Sequence, residues 1–161
     1  MTENSQPVVV AFDGSPEALE AVRTAATLFR DRPVLVVTVW EPGLAMAGAM
    51  LPSADVGGTF IPPTLEQVEA VDEATREHAQ AAAEAGTRLA RELGAAAEAL
   101  PVPDHADVTE TLVGIAEERD AAALVVGARG LGRVKSALLG STSRGLLHDA
   151  KRPVLVVRAP D

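Results

Sequence analysis

Three glycines and a serine carry the clearest chemistry in this chain. Gly127, Gly130, Gly140 and Ser141 are spaced as Gly-x2-Gly-x9-Gly-Ser, directly after an apolar run ending Leu124-Val125-Val126. A strand, a glycine-punctuated loop and a helix start are what a bound phosphate requires. Glycines let main chain approach the anion, and the free N–H groups of a first helical turn point at it. Thr142 and Ser143 add two more hydroxyls at that turn. Ser141 would serve equally as a plain helix cap, which is compatible with phosphate binding.

The local charge agrees. The formal net charge is −9, yet residues 121–148 contain no Asp or Glu and carry Arg129, Arg133, Lys135 and Arg144. A cationic loop on an anionic protein points to an anionic ligand. Solvated arginines on an ordinary surface loop give the same pattern, so Arg129 and Arg133 are candidates to steer or clamp phosphate, no more.

A second candidate lies far upstream. Val8-Val9-Val10-Ala11-Phe12 is an apolar run that ends in Asp13-Gly14-Ser15-Pro16. Asp13 could accept from ribose hydroxyls or hold Mg²⁺, a hard cation that prefers oxygen. It could equally be a turn residue that caps the next helix.

The elements that must position these residues read as alternating strands and helices. Val8–Phe12 is a buried strand. Ser15 fits an N-cap and Pro16 the first helical position, and Ala18, Leu19, Val22, Ala25, Ala26 and Phe29 form one apolar helical face. The second strand runs from Val34 to Val39. Residues 41–63 show neither period and are rich in Gly, Pro and Met, so a long flexible loop or a functional flap is expected there. Thr64 and Gln67 form a capping box for a long helix that Gly94 ends. Leu65, Val68, Val71, Thr75, Ala79, Ala82, Gly86, Leu89 and Leu93 mark its expected buried side. Residues 96–102 read as a third strand. Asp107 and Glu110 open a helix striped by Val108, Leu112, Ile115 and Ala116. Residues 122–127 form strand four, Ser141 to Asp149 a short helix, and residues 153–157 strand five.

This pattern predicts an α/β fold, an open parallel five-stranded sheet of Rossmann-like type with helices on both faces. With strand order 3-2-1-4-5, strands one and four flank the crevice where strand order reverses, and ligands bind there. Asp13 and the Gly127 loop would then meet. The 161 residues are expected to form one domain.

Composition removes several function classes. There are no cysteines, so disulfides, thiolate catalysis and zinc–thiolate sites are excluded. Aromatic residues make up 2% and Tyr is absent, which leaves no stacking platform for single-stranded nucleic acid. The acidic balance opposes tracking along a phosphate backbone. No apolar run reaches the roughly 20 residues of a membrane span. The first seven residues lack a basic stretch leading into an apolar one, so a cytoplasmic location is expected.

The residues also carry a resemblance. The segments Val9–Ser15, Leu124–Gly130 with Gly140-Ser141-Thr142-Ser143, and Lys151–Val157 resemble the universal stress protein family of the UspA type, in its ATP-binding branch. The resemblance spans nearly the whole chain. It implies an ATP-binding homodimer, with triphosphate against Gly127, Gly130, Gly140, Ser141, Thr142 and Ser143. Asp13 would lie near the ribose and a divalent ion, Mg²⁺ or Mn²⁺. Val39 would pack on adenine and Ala11 beneath the nucleotide. Without the resemblance, Val39 reads as ordinary core.

Other nucleotide signatures are missing. No phosphate loop ends in Gly-Lys-[Ser/Thr], and no Gly-x-Gly-x-x-Gly follows strand one. His78, His105 and His148 are scattered and form no nucleophile–base pair with another residue. The expectation is a nucleotide-dependent stress-response module with at most slow ATP hydrolysis. The alternatives are a weak ATPase or a phosphate- or nucleotidyl-transferring enzyme, and a dimeric interaction module whose pocket stays empty. Strand five, apolar and at the expected sheet edge, is the predicted dimer contact.

Overall fold

A computed structural model describes residues 6–43, 63–104, 107–130 and 139–160. Nine elements follow in strict alternation: β1 (Val8–Ala11), α1 (Pro16–Leu28), β2 (Val34–Trp40), α2 (Leu65–Glu92), β3 (Ala97–Pro103), α3 (Val108–Glu118), β4 (Ala123–Gly127), α4 (Ser141–Asp149) and β5 (Val154–Val157). The strands pair in parallel in the expected order β3-β2-β1-β4-β5. Val8 stands between Val34 of β2 and Ala123 of β4, so the centre of the sheet is in register.

Alternate residues of β1 feed two cores. Val8, Val10 and Phe12 pack with Ala21, Val22 and Ala25 of α1 and Ala90 of α2. Val9 points the other way and joins Leu35, Val37, Leu112, Ile115 and Leu146, under α3 and α4. A strand buried on both faces must be apolar throughout, which is why β1 and β4 show no alternation.

Local signals start and stop the helices where the sequence places them. The Ser15 hydroxyl accepts from Ala18 N at 3.1 Å, with Pro16 opening α1. Thr64 and Gln67 bond reciprocally at the start of α2. Gly94 takes φ +88° just past the end of α2.

The buried side of α2 follows its apolar stripe in the middle of the helix and departs from it at Leu65, Val71 and Leu93. Leu65 is 74% exposed and Leu93 48%, and Val71 is exposed as well. Within the stripe Ala79 and Gly86 are buried and Val68, Thr75, Ala82 and Leu89 half-buried, and burial extends to Ala83, Thr87 and Ala90 beside it. Length explains the exposure of Leu65 and Val71. A 28-residue helix is about 42 Å long, whereas the seven-residue strand β2 spans about 23 Å, so the first turns of α2 overrun the sheet. Asp72, in that overhang, accepts from Gly43 N at 2.7 Å. Most of the expected loop at 41–63 lies outside the described residues.

The two sheet edges are unlike. In β3, Asp104 N donates to Trp40 O and Val34 N to Ala96 O, so the odd-numbered residues turn their main chain outward. Two of them, Pro101 and Pro103, have no N–H, and Arg91 donates to the outward Ala97 carbonyl at 2.7 and 3.0 Å. In β5, Leu124 N donates to Pro153 O and Ala128 N to Val157 O, which leaves Val154 and Val156 facing out with N–H groups intact.

Candidate functional site

A cavity of about 570 Å³ opens at the carboxyl ends of β1, β2 and β4. It lies at the reversal point of the strand order, between β1 and β4. All ten residues singled out from the sequence line it: Ala11, Asp13, Val39, Gly127, Arg129, Gly130, Gly140, Ser141, Thr142 and Ser143. Arg133, Lys135 and His105 lie outside the described residues.

One end of the cavity is built for polar contact. Asp13 follows β1, and its Oδ1 accepts from Ser15 N at 2.9 Å. The turn-capping reading of Asp13 is therefore met, and the same carboxylate still lines the cavity. It is the single acidic side chain among the described lining residues. Gly130 lies directly against it. A Cβ on Gly130 would come 2.5 Å from Asp13 Oδ2. A Cβ on Gly127 would come 2.7 Å from Glu17 Cβ and 2.9 Å from Glu17 C, so β4 and the start of α1 touch through main chain.

Hydrogen bonds tie the far side of the loop to β4. Gly140 N donates to Ala128 O at 2.7 Å, and Ala128 N donates to Val157 O at 2.6 Å. Gly140, not Ser141, is the N-cap of α4, and it provides no side-chain cap. Ser141 stands at the first helical position. The first-turn N–H groups at 141–143 have no acceptor within the helix, and they open onto the cavity rim. Arg129 and Arg144 add positive charge to the same rim.

Ser143 differs from its expected use. Its hydroxyl is buried and lies 3.1 Å from both Ala128 O and Gly140 O, to which it donates. Its one proton is spent on holding the loop, so toward an anion it offers its backbone N–H rather than its hydroxyl.

The other end is apolar. Val37 and Val39 of β2, Val126 of β4, and Val108 and Leu112 of α3 form its wall. Val39 is half-buried there and also packs on the second core, so the core and lining readings both hold. The sequence marked Val108 and Leu112 only as a helical stripe. Their place at the opening of α3, just past β3, was the available signal. Asp107 caps that helix, and the Thr109 N–H beside it holds its carboxyl below the usual range.

An apolar slot beside an anion-accepting rim suits an amphipathic anion. A divalent cation has one described carboxylate to meet here, Asp13, and no group of three or more metal-ligating side chains occurs among the described residues. That donor set fits a cation arriving with phosphate oxygens and water, which supply most of its ligands. No described lining residue is His, Cys or Lys, and no nucleophile–base pair is present among them.

The model of the universal stress protein family matches residues 4–158. A universal stress protein of Mycobacterium tuberculosis is 32% identical over 167 residues, covering 98% of this chain and 49% of its own length. The chain thus spans about half the length of the curated relatives it matches. Among solved structures, an Archaeoglobus fulgidus universal stress protein in complex with dAMP is similar at TM-score 0.62 and 25% identity, covering 94% of this chain and 97% of that one. A universal stress protein in complex with cAMP is similar in fold at TM-score 0.63 and 24% identity, over 97% of this chain and 98% of that one.

Proposed function

This chain belongs to the universal stress protein family, and from that premise we propose that it binds an adenine nucleotide, with ATP as the preferred ligand, and acts as a nucleotide-dependent stress-response module. The observation that carries this reading is the convergence of Asp13, Gly127, Gly130 and the Gly140 helix start on one cavity with an apolar far wall. The polyphosphate lies along Gly127, Gly130 and the first turn of α4. Asp13 serves the ribose and a Mg²⁺ or Mn²⁺ ion shared with phosphate. Adenine enters the slot at Val39, above Ala11, with Val108 and Leu112 opposite. The nucleotide-bound relatives lend support through their dAMP and cAMP ligands.

Hydrolysis, where it occurs, is slow. The described lining offers positioning and charge but no nucleophile–base pair, and such sites turn over chiefly by those effects. The protein works in the cytoplasm as a pair of identical chains joined through 153–157. The open edge at Val154 and Val156, against the blunted edge of β3, favours β5 as the contact. No described helix is long and apolar enough to cross a membrane.

The test is the small-molecule content of freshly purified protein, by acid release and mass spectrometry, followed by thermal shift with ATP–Mg²⁺. Adenine nucleotide that co-purifies with the wild type and is lost in Gly140→Val supports the reading. Ligand at a hundred times its Kd should stabilise the fold by about 2.7 kcal/mol. No nucleotide and no shift would sink it and leave a module with an empty pocket. Steady ATP turnover abolished by Asp13→Ala, with binding kept, would point instead to an ATPase or phosphoryl-transferring enzyme.

A further inference from the structure

Glu17 belongs to no part of the site described so far, yet it touches two parts of it. It stands in the first turn of α1, its main chain pressed against Gly127. Its side chain is only 13% exposed, and its Oε1 lies 3.3 Å from Arg129 Nε. Arg129 lies between the two glycines of the loop, lines the cavity and is 43% exposed. Among the described residues Glu17 is its one polar partner. A guanidinium has five donors, and this ion pair at Nε leaves the four N–H groups of the outer nitrogens without a partner among the described residues. An arginine paired at Nε with a largely buried carboxylate thus keeps its fork open among the described residues. Bidentate phosphate recognition needs that fork.

With Arg129 43% exposed, solvent screens the pair, and its contribution to stability is small. A carboxylate beside an anion site also repels the anion. Its presence is explained if it orients the arginine. We infer that Glu17 is a positioning residue for polyphosphate: by holding Arg129 at Nε it aims the guanidinium fork at phosphates beyond the first, and so sets a preference for nucleoside triphosphate over monophosphate. This rests on the nucleotide reading above and adds to it a residue and a basis for selectivity.

The experiment measures ATP and AMP affinities of the full chain by calorimetry, for wild type, Glu17→Gln, Arg129→Ala and the double variant. Arg129→Ala should weaken ATP about tenfold, the order of one charge-assisted hydrogen bond, and AMP less than twofold. Glu17→Gln should lower the ATP:AMP affinity ratio several-fold, and should change nothing further once Arg129 is gone. The opposite sign is equally informative. If Glu17→Gln tightens ATP, the carboxylate only repels, and the inference is overturned. Equal losses for ATP and AMP, or an undiminished Glu17 effect in the Arg129→Ala background, also overturn it. If the wild type binds no adenine nucleotide, the nucleotide reading fails separately. Tripolyphosphate and orthophosphate then replace ATP and AMP, and the same loss of their ratio in Glu17→Gln is required.

Discussion

A side-chain carbon on Gly130 would lie 2.5 Å from Oδ2 of Asp13, so the end of β1 and the loop after β4 meet with no room for a methyl group. The atom in the way is the tip of a side chain, not main chain. Gly130→Ala should therefore displace the carboxylate rather than the backbone. We expect a loss of ATP affinity of about tenfold or more, the scale of a misdirected charged contact. The melting temperature should stay within about 2 °C, because the residue is exposed and touches no core. Calorimetry beside a thermal melt checks both, and a large fall in melting temperature would contradict this account.

Gly127→Ala should behave oppositely. Its new carbon meets Glu17 Cβ at 2.7 Å and Glu17 main chain at 2.9 Å, and neither can step aside without moving α1. Overpacking of that kind costs about 1–3 kcal/mol. Urea unfolding should show a lower midpoint at unchanged slope, with or without nucleotide.

Gly145 lets α4 lie against α3. A Cβ there would come 2.6 Å from Thr109 Oγ1 and 2.9 Å from Thr109 Cγ2. Gly145→Ala gains about 1 kcal/mol of helix propensity but collides, so a net loss is expected. Truncating the obstacle should reverse the sign. In a double-mutant cycle with Thr109→Ala, the two changes should couple by about 1 kcal/mol or more. Simple additivity would show that the helices are not pinned at this point.

Asp120 supplies a pH dependence. Hydrogen bonds from Gln6 first, and then from Arg152, hold its carboxyl below the ordinary range. A folded-state pKa below the unfolded one stabilises at pH above the unfolded value, and that contribution is lost as pH falls through the folded pKa. Asp120 also takes φ +50°, which Asn tolerates as well as Asp. Asp120→Asn therefore removes the charge and keeps the turn. The variant should be less stable than wild type at neutral pH, and the gap should close below about pH 4. Urea midpoints from pH 3 to 7 test this, and a gap constant across that range would contradict it.

Strand positions and helix boundaries were legible because their signals are local, and the strand order came from the alternating β/α pattern. Ser15-Pro16, Thr64 with Gln67, and Gly94 act within a few residues, and continuous apolar runs mark strands buried on both faces. The meeting of Asp13 with the glycine loop followed from strand order alone. What escaped the sequence depends on lengths and distances. The exposed Leu65 and Val71 follow from a helix longer than its sheet. Nothing in the Ser143 neighbourhood says that its hydroxyl turns back to Ala128 O. The pairing of Glu17 with Arg129 joins residues from opposite ends of the chain, and only packing at Gly127 brings them together.

The unlike sheet edges have a bearing on how far association can proceed. Two copies joined at β5 bury the edge that still offers N–H groups. In such a pair the outermost margins would both be β3, where Pro101, Pro103 and the Arg91-capped Ala97 carbonyl give a further strand little to pair with. If the proposed pair forms through β5, growth would end at two: one border of the sheet can accept a strand and the other is stopped, which would guard against fibres and open-ended ribbons.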